Sequence, residues 1–210
     1  MIRKKALIEL VRHRVAGEYQ AKQMGKLGDQ MLAYYIGRAF NSLLLEVFRN
    51  NLANFDPYIK EYQNVAISQD SNTEVYYSEL PAPVMQLPRI GDGIMRISGM
   101  TSRSVEYVPM TNGQLQNIEG LEIDMIDDVI GYVFKNGRVE YYGMSAAVAA
   151  GTVKMELIVP FEEYNEDDLV AIPTGSDEIL LRRVIEIIIG IPDSDKVNDG
   201  NSLNKNMRNG

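Results

Sequence analysis

Apolar and aromatic side chains recur at Leu32, Tyr35, Ile36, Ala39, Phe40, Leu43, Leu44, Val47 and Phe48, the three-four alternation that lays one stripe along a helix. The spacing predicts an amphipathic helix over 32–48, with Asp29 as N-cap and Asn50, Asn51 and Asp56-Pro57 closing it. So wide a stripe must be covered by other helices, and two segments can do so. Leu7, Leu10, Val11 and Val15 mark a first helix over 1–24, weakened at its far end by Gly17 and followed by a turn through Gly25 and Gly28. Ile179, Leu180, Leu181, Val184, Ile185, Ile187, Ile188 and Ile189 mark a last helix over 178–189. The capping pattern Thr174-Gly-Ser-Asp177 opens it, and Glu178, Arg182 and Glu186 stand one turn apart as an expected ion-pair ladder.

Between these helical segments the periodicity shortens to runs punctuated by Gly and Pro. Candidate strands are 64–67, 73–77, 93–97, 105–109, 129–134, 138–142 and 152–159. The sharpest signal is Asn136-Gly137 between two alternating runs, because a type I′ turn needs positive φ at both central residues. Pro81, Pro83 and Pro88 predict an extended edge or linker over 80–88, with a PxxP ligand as the alternative reading. The expected fold is α+β: a small helical bundle of two N-terminal helices and a C-terminal helix, with an inserted antiparallel β body. The expected division is 1–60 with 174–191 for the bundle, 61–173 for the β domain, and 192–210 for an extended tail.

The last helix is apolar round more of its surface than a three-helix bundle covers, so the surplus is expected to be buried against another subunit or the β body. After Pro192 the chain is rich in Asn, Asp, Ser, Lys and Gly, and such a composition does not hold itself in one conformation. A neighbouring chain is expected to hold it. The expected subunit interface is Leu180, Leu181, Val184, Ile187 and Ile188 of the helix, with Val197 and Leu203 of the tail.

Composition narrows the chemistry. With no cysteine, thiolate metal sites and cysteine nucleophiles are excluded. The single histidine, His13, sits between Arg12 and Arg14 and reads as solvated, so a Ser-His-Asp triad or a multi-histidine zinc site is not expected. A net charge of −8 argues against a general nucleic-acid binder. The charge is uneven: Arg3, Lys4, Lys5, Arg12 and Arg14 make the start basic, whereas Glu119, Glu122, Asp124, Asp127 and Asp128 form one acidic run and Glu162 and Glu163 begin another that ends at Asp168. These runs read as solvated loops. A Mg²⁺ or Ca²⁺ site is the alternative, although the EF-hand order of ligands is absent. Arg89-Ile-Gly-Asp-Gly93 lacks both phosphate-loop patterns and reads as a turn, and the small residues from Gly143 to Gly151 read as a loop. No signal-peptide core or membrane-length apolar run is present. No catalytic residue, metal site or cofactor is assigned.

The layout resembles the head-to-tail connector proteins of short-tailed bacteriophages, the ring-forming adaptors beneath the portal. Tyr76-Tyr77-Ser-Glu-Leu-Pro-Ala-Pro-Val84, Leu87-Pro-Arg-Ile-Gly-Asp-Gly-Ile94 and Ile191-Pro-Asp-Ser-Asp-Lys-Val-Asn-Asp199 are similar to stretches of structural proteins in crAss-like phages. The resemblance implies a non-enzymatic virion protein, made in the host cytoplasm and placed at the head–tail interface. It also implies a homo-oligomeric ring, commonly twelvefold, that contacts the portal and other ring or tail proteins and lets genomic DNA pass without sequence-specific contact. No membrane association and no cofactor are implied. On this reading the two acidic runs would face the channel and repel phosphate. A metal-dependent hydrolase using clustered carboxylates and a monomeric protein-binding adaptor module are the competing readings.

Overall fold

The computed structural model describes residues 1–18, 28–50, 55–87, 91–100, 105–111, 129–173 and 175–189. In chain order these form β1 (Ile2–Arg3), α1 (Lys4–Glu18), α2 (Asp29–Asn50), β2 (Lys60–Ala66), β3 (Ser68–Gln69), β4 (Tyr76–Glu79), β5 (Gln86–Leu87), β6 (Gly91–Asp92) and β7 (Ile94–Gly99). There follow β8 (Glu106–Pro109), β9 (Val129–Lys135), β10 (Arg138–Tyr142), α3 (Ala146–Ala149), β11 (Thr152–Leu157), β12 (Leu169–Val170) and α4 (Asp177–Ile189), with single 3₁₀ turns at Asp56–Tyr58 and Phe161–Glu163. The fold is α+β. Two compact units divide it, one drawn from Met1–Val47 and the chain after Glu163, the other being Phe48–Glu163.

In the helical unit the expected stripe of α2 is buried at Leu32, Ile36, Ala39, Phe40, Leu43 and Leu44. Asp29 is the first helical residue rather than the cap; the Gly28 carbonyl accepts from the Met31 and Leu32 amides, and the Asp29 carboxylate pairs with Arg12. Helix α1 buries Leu7, Val11 and Val15, whereas Leu10, expected on the same face, is 43% exposed. The first two residues do not join the helix as expected. Ile2 and Arg3 instead pair with β12, Ile2 opposite Val170 and Arg3 opposite Leu169. The Lys4 and Lys5 amides then donate to the Asp168 and Glu166 carbonyls, both at 3.0 Å, so two of the four amides a helix start leaves unsatisfied are met by a segment over 160 residues away. That is why 164–173, expected in the β domain, belongs with the helices. Thr174, the expected cap of α4, lies outside the described residues; the Leu180 amide donates to the Ser176 carbonyl at 2.8 Å.

In the β unit, β3, β4, β10, β9 and β8 form a five-stranded sheet in that order, and β2, β11 and β7 form a three-stranded one. All pairs are antiparallel except β8 with β9, which run parallel. β2 passes into β3 across Ile67 alone, and β7 lies beside β8, so the two sheets curl round a common core. Strand β11 supplies that core by alternation, Val153, Met155 and Leu157 inward and Thr152, Lys154 and Glu156 outward. The register of β2 against β11 shifts beside Lys154, and Asn64 adopts φ 58°, the left-handed conformation a bulge residue takes most readily as Gly or Asn. This bulge explains why β2 reads from sequence only at 64–67.

Asn136 and Gly137 have φ of 54° and 81°, as the hairpin requires, and Arg138 pairs with Lys135 across the turn. The proline-rich stretch is pinned rather than free: Ala82, Met85 and Leu87 are buried, the Met85 amide donates to the Ile158 carbonyl at 2.9 Å, and β5 pairs with β6. Gly93 follows directly. A Cβ there would lie 2.5 Å from the Met85 carbonyl oxygen, so the glycine serves close backbone approach, not phosphate binding. The run of small residues 143–151 contains the short helix α3, whose start is capped by Ser145 accepting from the Val148 amide. Phe48 stacks on Phe55 at 4.8 Å and meets Tyr58 edge-on at 6.0 Å, which joins these three residues within this unit.

Within the core, Tyr141 donates from its hydroxyl to Ser78 Oγ at 3.1 Å, and Ser78 donates to the Ala66 carbonyl at 2.8 Å. The neighbouring Tyr107 meets Tyr141 edge-on at 6.0 Å, but its buried hydroxyl finds no partner among the described residues. Breaking a satisfied bond costs about 1 kcal/mol, while removing an orphaned hydroxyl recovers a desolvation cost of ~1–3 kcal/mol. Denaturant titration should therefore show Tyr141→Phe less stable than the parent by about 1 kcal/mol and Tyr107→Phe equal or more stable. Equal losses for both would contradict this assignment.

Candidate functional site

The helical unit carries an open cleft of about 400 Å³, lined by both apolar and polar groups. Met1 and Ile2 come from the chain's first residues, Leu7 and Leu10 from α1, Ile172, Pro173 and Gly175 from the segment after β12, and Asp177, Leu180 and Leu181 from α4. Leu7 and Leu180 are fully buried and form its floor, whereas Met1 and Leu10 are exposed at its rim. Asp177 is the one charged residue of this lining, and Arg3 follows the lining residue Ile2 on the exposed face. The β1–β12 pairing is what brings the first residues to α4, and the periodicity of α1 gives no sign of it. The signal that could have found it is Leu169-Val-Ala-Ile172, a four-residue apolar run ending at Pro173.

Exposed large apolar residues gather on the same unit. Met1, Leu10, Met31, Tyr34, Leu169 and Ile179 belong to it, and Met100 alone to the β unit, among the described residues. The expected interface is narrowed accordingly. Leu180, Leu181 and Val184 are 1%, 9% and 0% exposed, so they are core positions of the chain itself; Ile187 and Ile188 are half-buried, and Ile179 is exposed. Val197 and Leu203 lie outside the described residues. Around this core, ion pairs link α4 to other elements. Glu178 reaches Arg14 at 3.7 Å, and Arg183 pairs with Glu46 and donates to Ser42 Oγ at 3.4 Å. His13 is exposed, as expected.

The acidic run Glu119, Glu122, Asp124, Asp127 and Asp128 lies outside the described residues. The second run is placed by its backbone: Glu163 accepts from Lys60 Nζ at 2.7 Å through its carbonyl, the Tyr164 carbonyl accepts from Lys4 Nζ at 2.6 Å, and Asp168 accepts from the Asn165 amide at 2.9 Å. Glu162 is exposed and Glu163 half-buried. Lys154 and Glu156 belong to a surface ion-pair group in which Lys154 lies 2.7 Å from Glu156 and 3.0 Å from Glu61. Glu156 and Glu61 together hold the Lys154 pKa up; hydrogen bonds from Gln63 and then Lys154 hold Glu61 down. A second group centres on Arg138, which bonds buried Glu140 at 2.8 Å and Asp70 at 3.2 Å and stacks over the Tyr77 ring at 4.7 Å. Among the described residues no three potential metal ligands converge. Nor is any described helix long and apolar enough to cross a membrane.

No protein-family model matches the chain, and no curated protein matches it at a significant level.

The carboxylates of these two groups are held in ion pairs with Arg138 and Lys154. Amides of Asn72 and Thr73, then Arg138, hold the Asp70 pKa below its usual value. Because the folded-state pKa lies below the unfolded one, Asp70 contributes stability that is present above the unfolded pKa and lost as pH falls through the folded one. Asp70→Asn should destabilise the chain at neutral pH, and the gap to the parent should close in acid, as pH falls below the usual Asp pKa of about 3.9 and through the lower folded-state one. Unfolding curves measured across that range check it; a gap independent of pH would refute it.

Proposed function

We propose that the chain is a structural virion protein that assembles, through its helical unit, into a ring of the head-to-tail connector joining portal to tail. The observation that carries this reading is the concentration of exposed large apolar residues on the helical unit, six there against Met100 on the β unit, among the described residues. Isolated exposed apolar residues are ordinary; six of them on one unit, which also carries an open cleft, favour that unit as the protein–protein surface. The likeness of Tyr76–Val84, Leu87–Ile94 and Ile191–Asp199 to connector stretches supports the particular assembly.

The remaining features suit the same role. The β unit is cross-braced by its two ion-pair groups and its hydroxyl relay, as a load-carrying part needs, and Glu61, Asp70, Glu140 and Glu156 are committed to cations. A net charge of −8 repels a sliding phosphate backbone and keeps DNA from adhering to a channel wall. Ile179 and the half-buried Ile187 and Ile188 are the part of α4 that meets a neighbouring copy, and the acidic runs at 119–128 and 162–168 are the segments assigned to the lumen.

Quantitative mass spectrometry of purified particles tests this directly. The chain should be recovered with the particle at a fixed copy number in a small whole-number ratio to the portal subunit. Its absence from particles, or a copy number that varies between preparations, would rule the reading out.

A further inference from the structure

We infer that the cleft between the first residues of the chain and α4 is filled by the outer face of α2 from a second copy, with Met31 and Tyr34 seated in it and Arg38 against Asp177; this rests on the ring reading above. The cleft's volume of about 400 Å³ lies within the roughly 300–1,000 Å³ of ordinary ligand sites, and none of its lining residues comes from α2. Leu7 and Leu180 close its floor, Met1 and Leu10 stay exposed at its rim, and Asp177 is its one acidic side chain.

The occupant is chosen by spacing, charge and direction. Met31, Tyr34 and Arg38 follow one another at intervals of three and four residues, so they form a single row along α2. Met31 is 50% and Tyr34 54% exposed, while Arg38 is exposed and pairs with no acid among the described residues. The other exposed large apolar residues of this unit, Met1, Leu10, Leu169 and Ile179, belong to the segments that build the cleft. They frame a receiving side, and the α2 row is what remains to enter it. Two apolar anchors followed by a cation suit a cleft with an apolar floor and an acid on one wall, which is the way a helix docks in a groove. The same copy cannot supply the row. The opposite face of α2, Leu32, Ile36, Ala39 and Phe40, is buried in the core of its own unit, so the helix cannot turn the row inward without exposing that face. Because row and cleft are different surfaces of one unit, the contact runs head to tail, and a head-to-tail contact repeated between identical copies builds a ring when its rotation closes.

The absence of cysteine makes the test clean. Two full-length variants, Leu10→Cys at the cleft rim and Tyr34→Cys on the α2 row, are differently tagged, mixed and oxidised. The expected product is a disulfide-linked pair containing one chain of each kind, about tenfold or more in excess of either self-linked pair. Adding Arg38→Glu to the Tyr34→Cys chain, or Asp177→Arg to the Leu10→Cys chain, should lower the yield of the mixed pair about tenfold, and combining the two reversals should recover it. Both positions are exposed, so neither reversal disturbs the core. Mixed and self-linked pairs in equal amounts, no cross-link at all, or a yield that the charge reversals leave unchanged would each overturn the inference. Particles holding the chain at fixed copy number without this cross-link would overturn the contact alone, whereas absence of the chain from particles would overturn the ring reading.

Discussion

Two backbone hydrogen bonds organise the helical unit. The amides of Lys4 and Lys5 begin α1 and donate to the carbonyls of Asp168 and Glu166. Without them the helix would start with donors unmet and with three cations, Arg3, Lys4 and Lys5, at the positive end of its own dipole. The 164–168 segment meets the donors with its carbonyls and accepts Lys4 Nζ at the Tyr164 carbonyl, and the β1–β12 pair holds it in place. Closing the unit thus joins the chain's first residues to a segment reached only after the β unit is complete. Such non-local closure is entropically slow to form. It also leaves Met1, Leu10 and Leu169 facing outward where the two segments meet.

What was legible in the sequence follows from how local each signal is. The α2 stripe is carried by one helix, and from Leu32 to Leu44 it is buried at every position but the half-buried Tyr35. Asn136-Gly137 is a two-residue signal and was readable for the same reason. The two-residue strands β1 and β12 were harder to read: the apolar run Leu169–Ile172 hints at β12 but names no partner, and each strand exists only by pairing with the other. Leu180, Leu181 and Val184 show the complementary error. A helix apolar on most sides signals burial, but periodicity alone does not say whether the cover comes from the same chain. Here the helical unit already buries those three positions, so the surplus shrinks to Ile179, Ile187 and Ile188 with the cleft rim.

The β unit shows how charged residues stiffen a small body. Glu140 is buried on a strand whose other face carries Val139 and Tyr141, and such a position is tolerable only because Arg138 meets it at 2.8 Å while bridging to Asp70 in the loop after β3. The same guanidinium covers Tyr77. Charge in this unit fixes loops and strands to each other, and the apolar surface that remains to be covered sits on the helices. The proposed assembly through a helical surface rests on that separation.

The central claim is that the apolar face of the helical unit is completed by further copies of the chain. Amide hydrogen exchange of the full-length protein, followed in the dispersed and the assembled state, measures it most directly. Exchange across residues 177–189 and 2–11 should slow on assembly by an order of magnitude or more, while the β unit's strands change little. If those helical amides are already as protected in a single dispersed copy as in the assembly, the face is self-contained and the account is wrong.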